Sequence, residues 1–256
     1  MTAQETPAKP RVAFFDFTSC EGCQLTVVDS LQTHPELLDM VDIVEFREAS
    51  SDRSDDYQVA FVEGSCTRPS DEERLKKIRA TADLVVALGA CAHLGGINTI
   101  RNHTSIEDVR QYVYKDKGEW YETYQPRPIS AVIKVDAFIP GCPIDRNEFI
   151  HAVAHLLQGR LPTIPDYPLC IECKLEENVC MYLRGKACLG PITRAGCGAI
   201  CPSFGDGCEG CRGIISNPNL EAMETVLLEH GLSMADVHAK MSMFLTYQTL
   251  SLEPKE

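Results

Sequence analysis

Short apolar runs alternate with amphipathic segments through the first half of the chain. Val12-Ala-Phe-Phe-Asp-Phe17 is apolar and aromatic, which predicts a strand. Leu25, Val28 and Leu31 follow at helical spacing. Val41–Phe46 and Tyr57–Val62 predict a second and a third strand. Pro69-Ser70-Asp71-Glu72-Glu73 carries the proline, capping residue and first-turn acids that open a helix, running to about Ala80. Asp83–Leu88 is a further buried strand. Strands that alternate with helices predict an α/β fold, its parallel sheet covered on both faces.

From Gly96 to Tyr124 the pattern weakens, which predicts an irregular insertion with a helix near Ile106–Tyr114. Pro126-Arg127-Pro128 breaks it, and Ala131–Ile139 provides one or two strands. Asp145 to Gln158 reads as a helix ended by Gly159. Pro162, Pro165 and Pro168 then mark a domain boundary. The expected organisation is a flexible start over 1–10, a first domain over 11–163 and a second over 164–256. In the second, Leu220–His230 and Ser233–Phe244 read as helices, the first stopped by Gly231.

Between Cys170 and Cys211 neither periodicity appears. This stretch holds Cys170, Cys173, Cys180, Cys188, Cys197, Cys201, Cys208 and Cys211, eight of the thirteen cysteines. Seven glycines and two prolines lie between Gly190 and Gly213, with few large apolar residues. Such a segment cannot build much core of its own and reads as backbone wrapped around what the sulfurs hold. Eight thiolates make two four-ligand sites, for iron–sulfur clusters or for zinc, since Cys-x2-Cys spacing suits both.

The upstream cysteines bear on that choice. Cys20 and Cys23 follow the first strand, Cys66 the third, Cys91 the fourth and Cys142 the last. Loops at the carboxyl ends of parallel strands converge on one crevice, so these distant thiols are expected to meet there. Gly22, Gly64, Gly89 and Gly141 lie on the same loops, where close backbone and free N–H groups suit a cluster's sulfides. A third thiol site of this kind favours clusters over zinc. Five thiols exceed the four a cluster needs, and Cys66 is the one left over, an unligated small residue near the site.

Composition narrows the setting. With 256 residues, 44% of them hydrophobic, the chain can fill one large core or two ordinary ones. Met1–Pro10 has no apolar core or twin arginine, so no export signal is expected. The longest apolar run, near Leu84–Ala92, is short of the roughly 18 residues that a bilayer span needs. The expectation is a cytoplasmic protein with reduced thiols. A net charge of −13 argues against nucleic acid or anionic membrane as partner. His151 and His155 are four apart on a helix, but Ala152 stands where a zinc protease needs glutamate, so a structural role is expected. His93 reads as a packed or solvated histidine. No GxGxxG follows a strand, and no dinucleotide site is expected.

Thr18-Ser19-Cys20-x-Gly22-Cys23, Glu63-Gly64-Ser65, Gly89-Ala90-Cys91-Ala92 and Pro140-Gly141-Cys142-Pro143 resemble the proximal-cluster motifs of the small subunit of nickel–iron hydrogenases. Cys188-Leu189-Gly190-Pro191, Cys197 and the final Cys208-x2-Cys211 resemble that family's second domain. The resemblance covers nearly the whole chain. It implies a flavodoxin-like first domain with a proximal 4Fe-4S cluster on Cys20, Cys23, Cys91 and Cys142, followed by a mostly irregular and α cluster domain. It further implies a medial cluster on Cys197, Cys201, Cys208 and Cys211, and a distal one on Cys170, Cys173, Cys180 and Cys188. Exported members often have histidine where Cys170 stands and lack a cysteine at Cys201. Cysteine at both positions implies three 4Fe-4S clusters here, in a member of the cytoplasmic group.

The implied role is an electron relay without catalytic residues of its own. It runs between the nickel–iron site of a large subunit and a flavin/iron–sulfur module. The opening Thr-Ser-Cys20-x-Gly-Cys23-Gln-Leu and Cys170-Ile-Glu-Cys173 look most like the NAD(P)-linked, sulfhydrogenase delta type. Enzymes of the methanogen type, which feed heterodisulfide reductase or reduce a deazaflavin, are the alternative. Two further readings rank below these. A quinone-reductase 20 kDa-type subunit would have adjacent cysteines where this chain has Cys20-x2-Cys23, and would lack the eight-cysteine domain. A zinc-stabilised scaffold would have no visible absorption.

Overall fold

The computed structural model describes residues 9–250; most of the expected flexible start lies outside them. Five strands, β1 (Arg11–Asp16), β2 (Asp42–Phe46), β3 (Val59–Glu63), β4 (Leu84–Leu88) and β5 (Ala137–Ile139), form a sheet in the order β2-β1-β3-β4-β5. Every pairing is parallel. This is the flavodoxin-like order, and the chain reverses direction across the sheet between β1 and β3.

The strands bury both faces, so their sequences are apolar at successive positions. Val12 and Phe14 of β1 belong to one apolar layer with Val27 of α1 (Gly22–Thr33) and with Phe149 and Val153 of a later helix. Ala13 and Phe15 point to the other layer, with Leu75 and Ile78 of a helix over Pro69–Thr81. A short helix α2 (Leu37–Met40) leads into β2. The helix after β3 is α3 (Pro69–Thr81), opened by Pro69.

The first layer is aromatic at its centre. Phe14 stacks on Phe46 and Phe61 at centroid distances of 4.4 and 5.0 Å, and Phe61 meets Phe149 at 5.7 Å. Phe61→Ala should cost about 3–5 kcal/mol, because these neighbours cannot close over the space left. The measurement is the thermal unfolding midpoint of the sheet by circular dichroism. A midpoint equal to wild type would contradict the packing described.

After β4 the chain turns straight into α4 (Gly89–Leu94), then a 3-10 stretch over Gly96–His103, α5 (Ile106–Tyr114) and a second 3-10 turn over Lys115–Trp120. Residues 131–139 yield a single strand: Ile129–Ala131 is a 3-10 turn, and Asp136 pairs with Val85 through main chain and carboxylate. Helix α6 (Arg146–Leu157) follows, capped by Asp145, whose side chain accepts the Glu148 N–H at 2.8 Å.

The stretch 161–166, with Pro162 and Pro165, carries no regular element. The cysteine-rich region has only α7 (Cys170–Leu175), a 3-10 turn over Met181–Arg184 and α8 (Ile200–Ser203). Its own apolar cluster is small, with Leu169, Met181 and Ala199 beside Cys188 and Cys208. The closing helices α9 (Leu220–Glu229) and α10 (Met234–Leu250) seat this region on the sheet domain. Leu227 and Leu245 pack with Leu189 and Ile192, and with Ala90 and Leu94 of α4.

Candidate functional site

At the carboxyl edge of the sheet the loops after β1 and β3 are tied together. Thr18 and Ser65 exchange main-chain hydrogen bonds, and the Asn98 amide donates to the Thr18 carbonyl at 2.9 Å and the Ser65 hydroxyl at 2.8 Å. Glu21 turns the chain with a left-handed φ of 62° and starts α1, which sets Cys23 in its first turn. Glu63 is 2% exposed, and its carboxylate accepts the N–H groups of Cys23 at 3.2 Å and Gln24 at 3.0 Å. Such free N–H groups at a helix start favour negative charge. Gly141 accepts the Ala90 N–H at 2.7 Å, drawing the β5 loop against α4.

These loops bring Cys20, Cys23, Cys91 and Cys142 together. Burial pushes the Cys91 thiol up to about 12, and the charges of Cys142, Glu63 and Cys20 add to it. Burial likewise raises Cys23, with Glu63, Cys91 and Cys142 adding. Burial raises Cys142 too, with Cys20 and Glu63 adding. Four sulfurs this close cannot all ionise without a cation among them. The backbone leaves them room: a Cβ on Gly89 would sit 2.3 Å from the Cys23 sulfur, and one on Gly22 3.4 Å from that of Cys20. Gln24, 1% exposed and adjacent to Cys23, has neither amide atom hydrogen-bonded among the described residues.

A second group is equally compact. Cys197, Cys201, Cys208 and Cys211 line one cavity of about 480 Å³, into which Gly141 and Cys142 also reach. Burial pushes Cys211 up to about 12, with Cys197, Cys142 and Cys201 adding. Burial drives Cys208 well above its usual value, opposed by the Gly210 N–H, which lies 3.4 Å from its sulfur.

The third group is Cys170, Cys173, Cys180 and Cys188. Burial pushes Cys170 up to about 11, and the other three thiols add to it. A Cβ on Gly190 would sit 3.3 Å from the Cys188 sulfur and 3.4 Å from that of Cys170.

The three groups form a row. Cys142 and Cys211 line the same cavity, which brings the first group against the second. The Cys208 N–H donates to the Cys188 sulfur at 3.2 Å, joining the second to the third. Cys20, Cys142, Cys180 and Cys201 reach the surface. Among the described residues no three Cys, His, Asp or Glu side chains close round a single metal ion. Four thiols with glycine backbone close to their sulfurs fit a multi-iron cluster whose thiolates each bind a separate iron.

Cys66 stands apart. It is fully buried in the α3 layer, 2.9 Å from the Tyr124 hydroxyl, which donates to Glu72 at 3.1 Å. His93 is a packed histidine: its ring stacks on Phe138 at 3.8 Å, and burial takes it down to about 4, with Arg194 and Arg212 adding. His151 and His155 lie with Pro162 and Pro165 along a groove of α6 that no cysteine lines.

Arg212 and Glu148 carry no sequence motif, yet both belong to the site. Arg212 is 1% exposed, and its guanidinium grips the Glu148 carboxylate at 2.6 and 2.8 Å. It also donates to the carbonyls of Ala195 at 2.7 Å and Pro140 at 3.1 Å. Burial raises Glu148 and works against the charge on Arg212, but the bonds to Glu148 hold the guanidinium firmly protonated. The pair is ionic, since arginine does not deprotonate and the double contact needs two acceptor oxygens. The signal available in sequence is slight, an arginine directly after the last cysteine.

The parallel sheet with thiols at its carboxyl edge defines an α/β protein whose ligand site lies at the strand ends. The model of the family described as NADH ubiquinone oxidoreductase, 20 Kd subunit, matches residues 20–156. Sulfhydrogenase 2 subunit delta of Pyrococcus furiosus is 35% identical over 86% of this chain and 92% of its own. A vhu subunit of the F420-non-reducing hydrogenase of Methanocaldococcus jannaschii is 33% identical over 79% of this chain and 81% of its own. Among solved structures, an NAD+-reducing NiFe-hydrogenase in the H2-reduced state superposes with a TM-score of 0.56 at 25% identity, covering 62% of this chain and 96% of that one. The chain belongs to the hydrogenase small-subunit family, within the wider 20 Kd oxidoreductase family.

Proposed function

We propose that the chain is the electron-relay subunit of a cytoplasmic nickel–iron hydrogenase. Cys20, Cys23, Cys91 and Cys142 would hold a proximal 4Fe-4S cluster. Cys197, Cys201, Cys208 and Cys211 would hold a medial one, and Cys170, Cys173, Cys180 and Cys188 a distal one. When bound, the clusters would supply one-electron steps at potentials set by burial and by hydrogen bonds to sulfur. The observation that carries the reading is the row of three thiol groups, which meet at Cys142 and Cys211 in one cavity and at Cys208 and Cys188 through a hydrogen bond. Electrons cross short gaps, and the row has two exposed ends.

The end with Cys20 and Cys142 would face the large subunit and its nickel–iron site. The end with Cys180 would face a flavin/iron–sulfur module, and it carries exposed apolar side chains, Leu175 at 76% and Leu183 at 82%. In this reading residues 11–163 form the proximal-cluster domain and 164–256 the domain of the other two. The likeness to an NAD+-reducing enzyme and to a sulfhydrogenase delta subunit supports an NAD(P)-linked module. The likeness to the F420-non-reducing hydrogenase supports the alternative, a methanogen-type complex that feeds heterodisulfide reductase. Assaying the purified complex with NAD(P)+ and with heterodisulfide separates the two. Among the described residues no helix is long and apolar enough to cross a membrane.

Three four-thiolate sites predict about twelve iron atoms and about twelve sulfides per chain in anaerobically purified complex. Reduced samples should show interacting 4Fe-4S signals by electron paramagnetic resonance. A full-occupancy 3Fe-4S signal in undamaged protein would remove Cys201 from the ligand set, and zinc in place of iron would end the relay reading.

A further inference from the structure

Arg212 and Glu148 form a buried charge pair at the junction of the first and second thiol groups. No pairwise surface role accounts for this placement. The guanidinium spends its donors on four acceptors from three segments: the Pro140 carbonyl two residues before Cys142, the Ala195 carbonyl two before Cys197, and both oxygens of Glu148 on α6. Gly196 makes way for it, since a Cβ there would lie 2.1 Å from a guanidinium nitrogen. Arg212 also follows Cys211 directly and lines the cavity shared by Cys197, Cys201, Cys208 and Cys211.

Reduction adds one negative charge to a cluster. A buried cation nearby, little screened by water, favours the reduced form and raises the potential. A carboxylate at the same place opposes it. The two members of the pair therefore act on the second thiol group with opposite signs.

We propose that Arg212 is a positioning residue that fixes the Cys142 loop against the Cys197 loop, and that the balance of charge between Arg212 and Glu148 sets the potential of the group bound by Cys197, Cys201, Cys208 and Cys211. This rests on the relay reading above. The pair would hold the middle of the row at a potential matched to its neighbours, and it would keep the junction at Cys142 and Cys211 at a constant spacing.

The test is a redox titration of the purified complex followed by electron paramagnetic resonance, with iron counted in each sample. Glu148→Gln keeps the shape and a hydrogen-bonding side chain while removing the negative charge, so the medial midpoint should rise. Arg212→Met removes the positive charge, so the midpoint should fall, and Arg212→Lys should restore most of it. If Arg212→Met loses iron or fails to assemble, Glu148→Gln alone decides. A loaded medial cluster whose midpoint does not move in Glu148→Gln, or moves downward, overturns the proposal and leaves the relay intact. Absence of any medial signal in the unmodified complex would instead overturn the relay reading itself.

Discussion

Replacing Cys173 with alanine should cut hydrogen oxidation coupled to the physiological acceptor at least tenfold, while hydrogen–deuterium exchange persists. Tenfold corresponds to about 1.4 kcal/mol of barrier, a lower bound for removing one station from the row. Cys173 lies in α7, and its sulfur acts with Cys170, Cys180 and Cys188. That group touches the second through Cys188, and the sheet packs its layers without it. The proximal four thiols should therefore keep their iron. Exchange needs only proton and hydride chemistry at the partner's nickel–iron site, with no electron leaving the complex.

Cys20→Ala should differ in kind. Cys20 is exposed at the carboxyl edge of the sheet, where the large subunit is proposed to sit, and both activities should fall together. The two variants are compared in both assays on assembled complex. Normal coupled turnover in Cys173→Ala would show that its group is not the outlet. Loss of exchange as complete as that in Cys20→Ala would show that the groups are ordered wrongly.

Much of this arrangement can be read from the chain because it follows from topology. Helical crossovers between β1 and β2, β3 and β4, and β4 and β5 return the chain parallel, and parallel strands send their following loops to one edge. Cysteines just past β1, β4 and β5 then meet without any local signal linking them. Cys66, just past β3, satisfies the same rule yet faces the α3 layer and Tyr124. The direction of one side chain after a strand depends on the bridge between Cys66 and Arg127, which pairs residues far apart in sequence. Helix α4 is hidden for another reason. Six residues, Gly89–Leu94, are too few to show a helical period, so Cys91 reads as a loop residue. Arg212 and Glu148 are separated by 64 positions, and each alone resembles a solvated charge. Their burial is a property of two loops meeting, which no single stretch of sequence contains. Glu63 belongs to a recognisable motif, but its bond to the start of α1 emerges only once β1 and β3 are adjacent.

Gly89→Ala should strip the proximal iron and leave the rest, a loss of roughly four of about twelve atoms. Gly89 has a φ of +80°, where a Cβ costs about 1–2 kcal/mol by backbone strain alone. The larger effect is contact: that Cβ would lie 2.3 Å from the Cys23 sulfur and 3.5 Å from the Gly141 carbonyl oxygen. Cys23 cannot yield easily, because its N–H is held by Glu63 and it is 6% exposed at the start of α1. Gly141 in turn is tied to α4 by the Ala90 N–H. Gly159→Ala is the matched control. Its φ of +69° imposes the same backbone strain, but nothing lies within 4 Å of the added carbon. It should lower the unfolding midpoint slightly and retain all its iron. Iron, sulfide and the spectrum of the reduced complex are measured for both. If Gly89→Ala keeps full iron and an unchanged proximal signal, Cys23 is not held where the sheet edge places it, and the four-thiol proximal site fails. If Gly159→Ala loses iron as well, strain in the fold, and not the space around the sulfur, governs cluster retention.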